Sequence, residues 1–292
     1  MYAATPEMDA FSEDTGRLAN PGYDFFMNQR EVMSMAAAAR RMPAREAEYK
    51  NLVLNQRVEI ASPFISPATW KACGAEPRDL HRCTVFGGLD LSATNDLTCL
   101  ALAGNDPVEA TWSVLPVFWL PEEGLMARAQ ADRAPYDVWA DQGFIELAPG
   151  ASVSYEFVAE RLRDLVEEYR INRIAFDRWG MPHLKPWLVK AGFSEQMIKE
   201  KFVEFGQGFK SMSPALRDLE SMVLERKIRH GNHPVLSMCA ANAVVASDPA
   251  GNRKLDKKRA SGRIDGMIAL TMALAAAPAS WTATFDPEAL IG

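Results

Sequence analysis

Apolar residues recur at two different periods along this chain. From Ser154, Val158, Leu162, Leu165, Val166 and Tyr169 return at helical spacing, with Glu160, Arg163, Asp164 and Glu167 opposite, which predicts an amphipathic helix. The next run, Ile171–Asp177, is short, apolar and closed by an acid, and reads as a strand. That strand–helix–strand grammar favours parallel pairing through a right-handed crossover. Upstream, Cys83–Asp90, Leu97–Ala103 and Thr111–Trp119 are β-prone, the last two separated by a turn at Gly104-Asn-Asp-Pro107. Three short strands with short turns predict an antiparallel meander. Proline-bounded helical patterns fill 121–142. Later the alternation repeats: a helix from Pro182, a strand near Phe202 and a helix over Ser213–Arg226. A hairpin (Ala243–Ser247, Arg253–Leu255) then leads to a last helix from Ile264. The body is α/β with a mixed sheet flanked by helices, and no internal repeat is visible.

The first 75 residues follow another pattern. Residues 1–20 are small, polar and acidic, and are expected to be poorly ordered. Glu31–Lys50 reads as a helix interrupted by Pro43, and the stretch to Cys73 is broken by Pro63 and Pro67. This segment reads as a tail and a linker or arm packed on a neighbour, without a core of its own. The division expected is 1–75 for that arm and 76–292 for the main domain.

Composition narrows the class. The chain has 292 residues, 48% hydrophobic and 24% charged, which excludes collagen-like, wholly disordered and coiled-coil proteins. No apolar run reaches the roughly 18 residues that span a bilayer. The richest stretch, Ile264–Ala277, carries Asp265 and Gly266 near its start. The N-terminus has acids where a signal peptide needs positive charge, and Cys73, Cys83, Cys99 and Cys239 lack paired spacing, so reduced thiols in a cytoplasm are expected. A net charge of −6 argues against a protein that coats nucleic acid, yet it leaves room for a local basic patch.

Several candidate chemistries fail. Gly206-Gln-Gly-Phe-Lys210-Ser211 resembles a phosphate loop, but Phe209 stands where that loop requires glycine, so no ATP hydrolysis is expected. No GxSxG elbow occurs. His230 and His233 flank Gly231 and precede Pro234, which suits a turn better than a zinc site. The acids are more informative. Asp90 and Asp177 each end a strand, and Asp265 lies in the first turn of an apolar helix. Each alone has a structural explanation, since acids are common at strand ends and complement a helix N-terminus. If the two strands are neighbours, however, the three carboxylates converge and repel unless cations neutralise them; hard oxygen ligands suit Mg²⁺ or Mn²⁺. Asp96 and Asp248 are reserve ligands, each equally readable as a turn residue. Arg253, Lys254, Lys257, Lys258, Arg259 and Arg263 fall immediately before the Asp265 helix. Alone this run is a solvated loop; beside an acid cluster it would offset phosphate repulsion and bind DNA without reading sequence.

Together these pieces resemble a family. Phe86-Gly-Gly-Leu-Asp-Leu-Ser-Ala-Thr-Asn-Asp-Leu-Thr98, Ile174-Ala-Phe-Asp-Arg-Trp179, Phe205-Gly-Gln-Gly-Phe-Lys-Ser-Met-Ser-Pro214 and Arg263-Ile-Asp-Gly266 look, in order and spacing, like the nuclease half of the terminase large subunit of tailed bacteriophages. The stretch from Leu224 through His230-Gly-Asn-His-Pro234 to Asp248-Pro249 also matches, so the resemblance covers roughly 80–280. Residues 21–75 resemble the linker that follows the packaging ATPase. The resemblance implies a ribonuclease H-like fold, two divalent cations held by Asp90, Asp177 and Asp265, and cutting of concatemeric double-stranded viral DNA. It further implies a terminase small subunit, a portal and an ATPase domain as partners, in a host cytoplasm. The motor motifs are absent, so the expectation is an excised nuclease domain or a truncated prophage reading frame. Two other readings stay open: a non-catalytic module that docks DNA or the portal, and another ribonuclease H-like nuclease of transposase or resolvase type.

Overall fold

A strand buried on both faces belongs in the middle of a sheet, and Thr84–Asp90 (β1) sits there. The computed structural model describes residues 3–5, 8–41, 43–56, 63–91, 97–106, 108–178, 180–278 and 281. β1 pairs antiparallel with β2 (Thr98–Asp106), and β2 with β3 (Thr111–Pro121), forming the expected meander. On its other side β1 pairs parallel with β5 (Ile171–Asp177), and β5 with β6 (Phe202–Phe205). β4 (Glu146–Ala148) and β7 (Ile228–Arg229) both add parallel to β3, giving seven strands. The expected hairpin is present as β8 (Val245–Ser247) and β9 (Arg253–Leu255).

The expected turn at Gly104 is corrected: β2 runs through it to Asp106. Gly104 is there for close packing, because a Cβ would lie 2.9 Å from the Cys83 Cβ. The chain reverses afterwards, where Asp106 Oδ1 accepts from the amides of Val108 and Glu109.

Side-chain alternation divides the sheet between two cores. Val85, Leu89, Leu100 and Leu102 face α7 (Tyr155–Glu168), α8 (Met181–Lys190) and α9 (Glu195–Lys201). Ser154 caps α7, its Oγ accepting from Phe157 N at 3.1 Å. Phe86, Cys99 and Ala101 face the other way, towards α4 (Pro67–Ala72), α10 (Phe209–Leu224), α11 (Pro234–Asn242) and α12 (Asp265–Ala275). Beside them lie α5 (Leu125–Asp132) and α6 (Tyr136–Asp141). All residues of α12 from Asp265 to Leu274 are buried, which is why this helix is apolar all round. Gly88 admits it: a Cβ there would stand 2.0 Å from the Ala269 carbonyl oxygen and 2.4 Å from Ala273 N.

The expectation of a poorly ordered N-terminus without a core is also corrected. Ser12 caps α1 (Glu13–Ala19), and Thr15, Gly16 and Ala19 are buried. With α2 (Gln29–Arg41) and α3 (Pro43–Leu52), α1 builds a small core around Tyr23, Val32, Ala36, Tyr49 and Leu54. Alanine and glycine add little to a hydropathy pattern, yet they let helices approach closely, so the pattern understates the packing. The break at Pro43 falls as expected, and Phe64, Ile65 and Trp70 already belong to the main core.

The two turn histidines are structural. His230 donates from Nε2 to the Trp70 carbonyl (2.9 Å), accepts at Nδ1 from Asn232 N (3.2 Å) and stacks on the Trp70 ring. His233 caps α11 through Nδ1 and lies against Phe118 and Phe144. Burial pushes the His230 imidazole below its usual value and His233 down to about 4. An imidazole harder to protonate when folded contributes stability that is complete above about pH 6.5 and lost as pH falls towards 4. For His233 this is about 3 kcal/mol. We expect the urea midpoint of the protein to drop between pH 7 and pH 4.5. His233→Asn, which keeps a cap acceptor, should lose less over the same interval.

Candidate active site

Parallel strands end at the same edge, so β1 and β5 deliver Asp90 and Asp177 side by side. Leu89 pairs with Phe176, placing the two acids next in register. Asp90 shares the face of Phe86 and Gly88, and Asp177 that of Ala175, so both lie on the face covered by α12. The close approach at Gly88 then brings the first turn of α12, with Asp265, to the end of β1. Asp90 and Asp265 are 3% and 5% exposed, although both are acids.

A lysine joins them. Lys257, between β9 and α12, donates from Nζ to Asp90 Oδ2 and to Asp265 Oδ1, each at 2.9 Å. The two oxygens are therefore no further apart than twice that distance. Gln207 donates from Nε2 to the other oxygen of Asp90 at 3.0 Å. It comes from the glycine-flanked loop after β6, whose last residue, Phe205, pairs with Asp177. Burial pushes the Asp90 carboxyl up to about 6; Lys257 and Gln207 hold it down and Asp265 adds to the rise. Burial alone would lower the Lys257 ammonium, but the two carboxylates outweigh it and raise it. The neighbouring thiols of Cys99 and Cys239 are buried, pushed well up, and so neutral.

This donor set fits a hard divalent cation, because two buried carboxylates already share one positive charge between them. Asp177 flanks the pair on the adjacent strand. Among the described residues, no three His, Cys, Asp or Glu side chains are arranged to hold a metal ion. The structure thus joins two of the three expected acids through Lys257, with the third beside them. Of the reserve ligands, Asp248 is used by a turn: it accepts from Ala250 N, Asn252 N and Asn252 Nδ2 at 2.9, 2.9 and 3.0 Å. Asp96 lies outside the described residues.

The basic run divides. Arg253 pairs with Glu220 at 2.6 Å and Arg263 with Asp132 at 2.8 Å, pinning both ends of the segment. Lys254 lies over the Phe209 ring, while Lys258 and Arg259 are exposed. The sequence does not single out Gln207, and it presents Lys257 within the basic run expected to face DNA, not between the acids. The signal available for Gln207 was an amide between two glycines directly after a strand; for Lys257, one basic residue among six, the local pattern carries none.

The mixed sheet and the acid pair at the end of its central strand define a ribonuclease H-like α/β protein. The family model described as terminase large subunit, endonuclease domain, matches residues 2–280, and the chain belongs to that family. It is 45% identical to the terminase large subunit of Enterobacteria phage HK97 over 277 residues, 95% of this chain and 54% of that protein. The crystal structure of the HK97 large terminase superposes with a TM-score of 0.69, covering 95% of this chain and 56% of that one. Protein YmfN of Escherichia coli K12 is 22% identical, covering 88% of this chain and 57% of its own length. The chain spans about half the length of the curated relatives it matches. Family and fold expected from the resemblance are thereby borne out.

Proposed function

We propose that this chain is the metal-dependent DNA endonuclease of a genome-packaging terminase, and that Asp90, Asp177 and Asp265 hold two divalent cations, Mg²⁺ or Mn²⁺. The observation that carries this reading is the buried Asp90–Asp265 pair at the end of β1, whose two carboxylates share the Lys257 ammonium between them. Held by Asp90, Asp177 and Asp265, such ions would supply activation of a water and charge stabilisation at the leaving oxygen of a phosphodiester. The chain's own residues supply the rest. Gln207 fixes the orientation of the Asp90 carboxylate, and α12 holds Asp265 opposite it. Lys254, Lys258 and Arg259 offer positive charge beside the acids, favouring the backbone of concatemeric double-stranded DNA over any base sequence. Arg253, Lys257 and Arg263 are paired with acids of the chain. In this reading the ATPase domain, the small subunit and the portal bring DNA to the site, in the host cytoplasm. Among the described residues no helix is long and apolar enough to cross a membrane.

The test is cleavage of supercoiled plasmid by the chain in Mn²⁺ or Mg²⁺ without ATP. We expect nicked and linear products that disappear on adding EDTA. Binding without cleavage in any divalent cation would favour the docking reading, and cleavage that survives EDTA would exclude a metal mechanism.

A further inference from the structure

We propose that Lys257 is a resident counter-cation: its ammonium occupies the place of a divalent ion between Asp90 and Asp265, and it withdraws when that ion is loaded. This inference rests on the metal reading above and concerns how that same site is regulated. Three observations support it. The first is position, since Nζ lies 2.9 Å from an oxygen of each acid, where a shared cation must sit. The second is charge. Two carboxylates and one ammonium leave the site net −1, whereas a divalent ion neutralises the pair, so the ion is the stronger partner. Both cannot occupy one gap, because an ammonium carries only donors and repels a metal ion.

The third is burial. The acid side chains are 4% and 7% exposed, whereas that of Lys257 is 47% exposed. Its stem reaches in from solvent across the mouth of the site and can leave by rotamer changes along four flexible bonds. Nothing in the core has to repack. The segment also stays anchored while the side chain moves: Arg253 is held by Glu220, Asp256 N donates to the Val244 carbonyl, and Asn242 Nδ2 donates to that of Arg263. The exchange therefore resolves the cost of two like charges buried together in the metal-free protein. It also frees one cation to face an incoming phosphate only after the site is charged with metal.

Calorimetric titration of Mn²⁺ into the full chain tests this, with Lys257→Met beside the wild type. Without competition from the ammonium, Lys257→Met should bind Mn²⁺ at least tenfold more tightly. Its melting temperature should fall below wild type without metal and rise further on adding Mn²⁺. Equal or weaker Mn²⁺ binding by Lys257→Met overturns the inference alone. No Mn²⁺ binding by either protein overturns the metal reading beneath it. Should the variant fail to fold, amine acetylation of the wild type decides by mass spectrometry, with exposed Lys258 as internal reference. Lys257 should be protected without metal and become reactive at saturating Mn²⁺; equal labelling in both states overturns the exchange.

Discussion

Asp90→Asn is expected to abolish DNA cleavage, lowering the rate at least ~10³-fold, while the protein stays folded. Replacing one carboxylate oxygen by an amide removes a charged ligand at the centre of the site, and the charge stabilisation that bound metal supplies is several kcal/mol. The fold should tolerate the change because Asp90 is buried and its charged form is already disfavoured there. Lys257 loses one partner but keeps Asp265, and its side chain is half exposed. Asp265→Asn and Asp177→Asn should have the same effect, the latter showing that the acid on the neighbouring strand takes part. Plasmid relaxation in Mn²⁺, with melting curves on the same samples, gives both readings. Wild-type cleavage by Asp90→Asn would move the chemistry away from this edge of the sheet.

Gly88→Ala should destabilise the protein by at least about 3 kcal/mol, and Gly87→Ala by about 1 kcal/mol. The two positions are adjacent in one strand, yet their surroundings differ. A Cβ on Gly87 would meet the Ile174 Cγ1 at 3.0 Å, a side-chain atom that can shift slightly. A Cβ on Gly88 would meet backbone of α12, the Ala269 carbonyl at 2.0 Å and Ala273 N at 2.4 Å. Backbone in a buried helix cannot yield locally, so α12 must move off the sheet as a body. Asp265 would move with it, and cleavage should fall even in whatever fraction remains folded. Denaturant unfolding of the two variants checks the contrast. Similar costs at both positions would mean that the helix is not held at this distance.

Much of the architecture was legible in local pattern. Alternating and continuous β-prone runs marked β1, β2 and β3; the 3.6-residue period marked α7; and the two short strand segments of a hairpin were legible before the last helix. The strand–helix–strand order pointed to the parallel pairing that puts Asp90 beside Asp177. What failed has a common cause. Glycine reads as a turn, but Gly104 lies inside a strand to admit Cys83, and the alanine-rich N-terminal helices pack although their hydropathy is low. In both cases the deciding quantity is the space between elements, which no window along the chain records.

The site divides in the same way. By itself the sequence determined which acids are available, because an acid closing an apolar strand or opening an apolar helix stands out against its neighbours. It also determined that the chain carries a positive segment just before Asp265. Only the tertiary structure decided that the Lys257 ammonium lies between Asp90 and Asp265, and that Gln207 in a failed phosphate loop orients Asp90. Asp90 and Lys257 are far apart in the chain and meet because α12 lies against Gly88. The physical reason is range: periodicity reports the environment of one element, whereas charge pairing depends on distances set by how separate elements pack.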